Sequence, residues 1–179
     1  MQVQGNGTIR MLEIGNGHMT DEEYRTHMSL WALTAAPLLA GNDIRSMTPA
    51  IKEILMNREV LAVDQDSLGK QASPVKLGDL QIWVKQLADG SVAAGVVNMG
   101  DAETTATVKK SDLGLGTNVK SARDLWRHSS VVFRDGLYTT NIPGAWSAHA
   151  SSELEADRAT RNCVSHVTRF APEDRFQSR

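Results

Sequence analysis

The sequence predicts two fold classes in one chain, an α/β segment followed by an antiparallel β-sandwich. In the first part, apolar residues recur at helical spacing on either side of a short apolar run that suits a buried strand. After Pro74 the apolar period becomes two, in short runs separated by Gly/Asp turns. We therefore expect an α/β domain over residues 1–70, a sandwich domain over 75–143 and a poorly ordered tail over 144–179.

The first predicted helix begins after Thr20. This residue and Glu23 form a capping box, which satisfies the free amides of a helix start. Pro37 ends the helical run because it has no amide hydrogen. The run PLLAGND, residues 37–43, then predicts a buried strand that ends in a loop.

The second predicted helix begins at Pro49, a residue favoured at the first helical position, with Thr48 before it. The run EVLAVDQD, residues 59–66, is predicted to be extended or a short turn. The Gly, Ser and Pro content of residues 67–74 indicates a linker between the two domains.

The predicted sandwich consists of short alternating runs with turn residues between them. Asp89-Gly90 and Asp135-Gly136 are strong hairpin signals. From Gly144 the alternation is lost, and we expect at most a weak helix near residues 152–161. The predicted strand runs are LQIWVKQL, SVAAGVVN, ETTATVKK, NVKSARDLW, VVFRDG and LYTTNI.

The composition excludes several classes of protein. A net charge of −2 without a polybasic stretch argues against a nucleic-acid partner, and no apolar run reaches the roughly 18 residues of a membrane span. The first ten residues lack the apolar core of a signal peptide, so the compartment stays unknown. The single Cys163 excludes an internal disulfide and a multi-cysteine zinc site. We expect no metal and no other cofactor.

Candidate chemical groups are few in this sequence. Five histidines lack metal-ligand spacing, and His27 is interpreted as a residue at the edge of the core. Asn42 and Asp43 follow the predicted strand, where polar residues of a parallel barrel face the active site. A purely structural pairing of Asp43 with Arg45 is the alternative. The five histidines are His18, His27, His128, His149 and His166.

Two aspartates and two tryptophans are the remaining candidates. Asp64 and Asp66 are expected to cap a turn at the domain junction. Trp83 and Trp126 lie in predicted strands, where packing in the core competes with a sugar-stacking platform. No acid/base pair can be assembled from these residues alone.

Two long runs resemble the melibiase type of α-galactosidase, glycoside hydrolase family 27. They are MLEIGNGHMTDEEYRTHMSLWALTAAPLLAGNDIRSMTP and EVLAVDQDSLGKQ, and the similarity continues through DLWRHSSVVF. The resemblance covers residues 11–143. It implies that the α/β part is the terminal strand and helices of a (β/α)8 barrel, followed by the antiparallel sandwich.

The resemblance also implies a retaining glycoside hydrolase that acts on terminal α-D-galactosyl residues. Such enzymes use two aspartates, a nucleophile and an acid/base, about 5–5.5 Å apart. In the family both precede the segment that matches here, and neither motif occurs in this sequence, so no catalytic residue is assigned. We expect the chain to be inactive alone.

One sugar-binding position falls at the start of the resemblance. The family reads W-N-D-P-D-M-L, whose last Asp and Met line the galactose pocket. Met11 matches that Met and is a weak substrate-binding candidate, but Arg10 replaces the Asp. A cation cannot accept the hydrogen bonds that a carboxylate accepts from a sugar.

We hypothesise that a frame change accounts for this mismatch. Codons for W-N-D-P-D, read from the second base, give Gly-Thr-Ile-Arg, which are residues 7–10. A looser case places a second shift after Pro143. With both ends shifted, the sequence would be a gene fragment, a decayed gene or a sequencing artefact. We expect its last sandwich strand to be lost, with an open sheet edge and self-association through exposed barrel-remnant surface.

Two other functions fit parts of the same sequence. A fragment of an α-N-acetylgalactosaminidase is the alternative within the enzymes. A non-catalytic carbohydrate-binding or accessory sandwich is the alternative outside them, favoured if Trp83 and Trp126 are exposed and coplanar.

Overall fold

The computed structural model describes residues 11–17, 19–100, 102–114, 119–142 and 164–172. The expected weak helix near 152–161, together with Arg10, His18, His149 and Cys163, lies outside these ranges. The helices are α1 (Asp21–Thr34), α2 (Pro49–Leu55) and α3 (Arg58–Asp64), with a 3₁₀ turn at Lys110–Leu113. The strands are β1 (Ser73–Lys76), β2 (Leu80–Gln86), β3 (Val92–Asn98), β4 (Thr104–Lys109), β5 (Val119–Asp124), β6 (Ser129–Val131), β7 (Leu137–Ile142) and β8 (Val164–Pro172).

Helix α1 begins and ends where its sequence predicts. The Glu23 amide donates to Thr20 Oγ1 over 3.3 Å, and the Thr20 amide donates back to Glu23 Oε2 over 2.6 Å. At the other end, Ala35 adopts a left-handed conformation with φ +50° and donates to the carbonyl of Ala32. The chain therefore leaves the helix just before Pro37.

Helix α3 corrects the prediction of an extended segment over residues 59–66. Asn57 caps it, since its side-chain oxygen accepts the amides of Glu59 at 3.0 Å and Val60 at 3.2 Å. The cap favours a helix in the residues that follow, although two of them are β-branched valines. The helix buries both of these valines, Val60 and Val63. Helix α2 follows the prediction, with Pro49 in its first turn and Thr48 as its cap.

The strands form two antiparallel sheets. The larger has the order β1-β2-β3-β8-β5-β6, and the smaller consists of β4 and β7. Asp89-Gly90 lies in the turn between β2 and β3, and Asp135-Gly136 is closed by a bridge between Arg134 and Leu137. Both Asp-Gly signals therefore mark tight turns, as predicted.

Strand β8 corrects the expectation that the sandwich lacks its last strand. It pairs with β3 along seven residues and with β5 on its other side, at the centre of the larger sheet. The edge expected to stay open is thus filled, and this part of the tail over 144–179 is a strand. Val167 and Thr168 point to opposite faces, yet both are buried, because elements cover both faces of the sheet.

Two apolar clusters hold these layers together. One lies between the helices and one face of the larger sheet, and includes Met28, Leu33, Ile54 and Val167. The other lies between the two sheets around Ile82, Val96, Val108 and Phe170. The structure is therefore a partial barrel packed on a C-terminal β-sandwich, the architecture that the sequence predicts.

Candidate functional site

The residues expected at the active site lie on two neighbouring parallel segments. Leu12 and Ala40 form a parallel bridge. The Leu12 amide donates to Leu39 O over 2.8 Å, and the Gly41 amide donates to Leu12 O over 3.2 Å. Helix α1 connects the two segments, so they form one β-α-β unit with both carboxyl ends at the same edge. We call residues 11–17 and 40–46 the barrel edge.

The loops at this edge touch because two glycines leave space for them. A Cβ on Gly41 would lie 2.9 Å from Leu12 O and 3.3 Å from Met11 Cβ. A Cβ on Gly15 would lie 3.2 Å from Asn42 Nδ2. Met11 and Asn42, two of the predicted site residues, are therefore brought to the same edge.

Each carboxylate at the barrel edge has a partner in its own loop. Asn16 Nδ2 donates to Glu13 Oε2 over 2.8 Å. Asp43 accepts the Arg45 backbone amide at 3.0 Å and two bonds from the guanidinium at 2.9 and 3.0 Å. These bonds hold the pKa of Asp43 below its usual value. Asp43 thus makes the structural pairing that was the alternative to a site-lining role.

His27 lies on α1 behind this edge and contacts Trp31. The two rings stack with centroids 4.1 Å apart. Burial lowers the pKa of His27, although the nearby charge of Glu13 acts to raise it. The ring is therefore neutral at pH 7 and belongs to the edge of the core, as predicted.

The remaining candidates have structural contacts. Asp66 caps a turn as predicted, accepting the amides of Leu68 at 3.1 Å and Ala88 at 3.0 Å. Asp64 is instead buried at the end of α3. Trp126 is 8% exposed and donates to Ser29 Oγ over 2.9 Å, so it is a core residue and offers no stacking platform.

Sequence reasoning missed two features of the barrel edge. Tyr24 Oη accepts the Gly17 amide at 2.9 Å, which ties the first loop to α1. Asn42 Oδ1 is buried without a hydrogen-bond partner among the residues that the structure describes. The sequence feature that marks these two loops is a repeated Gly-Asn pair, in GNG at 15–17 and in GND at 41–43.

The described ranges show neither a metal cluster nor a membrane-spanning helix. They contain no cluster of three His, Cys, Asp or Glu side chains that could hold a metal ion. None of the helices in these ranges is both long and apolar enough to cross a membrane.

Comparison with known proteins divides the chain in the same way as the fold. A family model described as Alpha galactosidase A matches residues 3–66, and one described as Alpha galactosidase C-terminal beta sandwich domain matches 77–149. These matches extend beyond residues 11–143 at both ends.

Curated relatives and solved structures agree with this assignment. An α-galactosidase of Coffea arabica is 52% identical over 79% of the chain, and one of Cyamopsis tetragonoloba is 51% identical over 74%. The chain spans 37% and 33% of these two relatives, about a third of their length.

The crystal structure of α-galactosidase I from Mortierella vinacea aligns with a TM-score of 0.73 at 31% identity. The alignment covers 90% of this chain and 38% of that one. The first family model matches the segment that folds as part of a barrel, and the second matches the segment that folds as a sandwich. This is the order that the two halves of the fold predict. The chain belongs to the melibiase-type α-galactosidases, glycoside hydrolase family 27.

Proposed function

We propose that this chain supplies the C-terminal barrel elements and the β-sandwich of a retaining α-galactosidase, which hydrolyses terminal α-D-galactosyl residues. The observation that carries the proposal is the barrel edge, where two parallel segments joined by α1 bring Met11 beside Gly41. In this proposal residues 1–70 belong to the barrel and residues 75–143, completed by β8, to the sandwich.

Hydrolysis by this chain alone is not expected. A retaining mechanism needs two carboxyl groups about 5–5.5 Å apart that face one sugar. Glu13 and Asp43, the carboxylates of the barrel edge, are instead held by Asn16 and Arg45 in their own loops. No catalytic residue is therefore assigned within the chain, and the reaction requires groups from other barrel strands.

The direct test is hydrolysis of an aryl α-galactoside by the purified chain. We expect release of the phenol at the rate of the enzyme-free blank. Turnover that survives repurification would overturn this part of the proposal, because it would require a carboxylate pair within these residues.

Met11 is proposed to make an apolar contact with the sugar. Its side chain is 52% exposed at the barrel edge, and Met56, directly after α2, is a matched control with 59% exposure. With methyl-labelled methionine, methyl α-galactoside at millimolar concentration should shift the Met11 methyl signal and leave that of Met56 unchanged. Equal shifts with methyl α-glucoside, or no shift, would remove Met11 from the site.

The barrel edge is also proposed to drive self-association. It exposes large apolar side chains, and exposed apolar surface favours contact with another molecule. We expect the apparent mass in sedimentation to rise with concentration, whereas a concentration-independent monomer would contradict the proposal. The exposed residues of the edge are Met11 52% and Ile44 68%, and Leu39, which lies directly before the second segment, is 43% exposed.

A further inference from the structure

A lysine is completely buried where the sandwich meets the barrel segment. Lys85 lies on β2 with 0% of its surface exposed. Its Nζ donates to the backbone carbonyl of Ala32, in the last turn of α1, over 2.9 Å. Lysine is almost never fully buried without compensating contacts, so this position calls for a specific reason.

We propose that Lys85 is a positioning residue through which the sandwich fixes the C-terminal end of α1, and with it the second segment of the barrel edge. The last carbonyls of a helix lack intrahelical partners and carry partial negative charge. An ammonium group there acts as a charged cap supplied by another part of the fold. Ala32 O also accepts the amide of Ala35, so Lys85 holds the residue on which the chain turns out of the helix.

The charge of Lys85 has compensation nearby. Burial lowers the pKa of Lys85, while the charges of Asp64 and Asp66 act to raise it. Asp64 is itself 7% exposed, and its Oδ1 has no hydrogen-bond partner within the described part of the chain. Acidic groups at and just after the end of α3 thus lie near the amine that β2 contributes.

The path from Lys85 to the barrel edge is short. Ala35 follows directly after α1, and Leu39 already accepts the Leu12 amide in the parallel bridge. Few residues separate the capped end from that bridge, so a shift of the helix end moves the segment with it. The Ala72 amide, which donates to Leu33 O over 2.8 Å, adds a second tie from the sandwich side.

Amide hydrogen exchange of the full chain tests this role. In Lys85→Met, which keeps most of the apolar side chain but removes the ammonium group, the Leu12 and Gly41 amides should exchange about tenfold faster relative to those of β3, because a hydrogen bond from a charged donor is lost. The exposed Lys76→Met is the control and should leave the ratio unchanged. A uniform rise at all amides, or no rise, would overturn the proposal.

A second measurement needs no substitution. In the ¹⁵N-labelled chain, the ammonium protons of Lys85 should give a signal that is protected from solvent exchange, unlike the signal of Lys76. Absence of a protected signal would show that the ammonium does not hold the helix end. Neither readout involves sugar, so the outcome is independent of the proposed hydrolytic function.

Discussion

Substitution of Gly95 by alanine tests how closely α1 packs on the larger sheet. Gly95 lies in β3, and a Cβ there would be 2.3 Å from Leu33 Cδ1. Its φ lies outside the left-handed region, so alanine introduces no backbone strain. The cost of the substitution is therefore the steric overlap with Leu33 alone.

The magnitude follows from that overlap. Carbon atoms pack at about 3.5–4.0 Å, so Leu33 would have to move by more than about 1 Å. Leu33 is 1% exposed and packed within the cluster between the helices and the sheet, so its side chain cannot move away without displacing neighbours. Overpacking of this kind costs about 1–3 kcal/mol. Alanine also lowers the conformational entropy of the unfolded chain, which stabilises the folded state by about 0.4–1 kcal/mol. We therefore expect the free energy of unfolding to fall by about 1–2 kcal/mol.

The assay is urea unfolding followed by far-UV circular dichroism, with Leu33→Ala as the matched background. Leu33→Ala removes the clashing methyl groups, so Gly95→Ala should be neutral or stabilising in that background. An equal cost in both backgrounds would show that the loss does not come from this contact. No cost in the native background would refute the close packing of α1 on β3.

Three further substitutions probe other junctions. Glu59 accepts two bonds from Arg123 at 2.7 and 2.9 Å, and although burial acts to raise the pKa of Glu59, these bonds lower it. The Glu59 carboxylate therefore stabilises the fold at pH values above its usual pKa, and this contribution is lost as the pH falls through its lowered pKa in the folded chain. Glu59→Gln should accordingly cost about 1 kcal/mol at pH 7 and less near pH 3. Trp126→Phe removes the donor to Ser29 and should cost about 1–2 kcal/mol in urea unfolding. Thr20→Ala removes the cap of α1 and should cost about 1 kcal/mol.

Each of these substitutions has a control at another position. Trp83→Phe loses only a bond to Gln81 within its own strand, and its cost should be smaller than that of Trp126→Phe. Thr107→Ala, at an exposed position of β4, should change stability by less than about 0.5 kcal/mol. A pH-independent cost of Glu59→Gln would contradict the role of its charge.

The parts of the fold that the sequence predicts are those governed by neighbouring residues. The Thr20 capping box and the Asp-Gly turns are each formed by a few consecutive residues, so their geometry follows from local chemistry. Helix α3 was missed because its β-branched residues favour a strand, whereas the Asn57 cap decides the outcome. Strand β8 was missed because a central strand covered on both faces shows no alternation.

The candidate site was predicted in outline and not in its contacts. The resemblance points to Met11, but the contact of Asn42 with Gly15 joins two loops that are distant in sequence. Alternation in β2 places Lys85 on the polar face, opposite Ile82. That face is covered by α1 in the folded chain, so Lys85 is buried, and only the three-dimensional arrangement shows this.

The position of β8 has a consequence for the order of folding. Val92 pairs with Phe170, so this contact closes a loop of about 80 residues, whereas β2 and β3 are joined by a tight turn. Loop closure over such a distance is entropically costly and slows folding. We expect β1-β2-β3 and β5-β6 to form first as separate ribbons, with β8 arriving last between them. Until it does, the inner edges of both ribbons offer unpaired amides and carbonyls, which makes this intermediate the species most prone to aggregate.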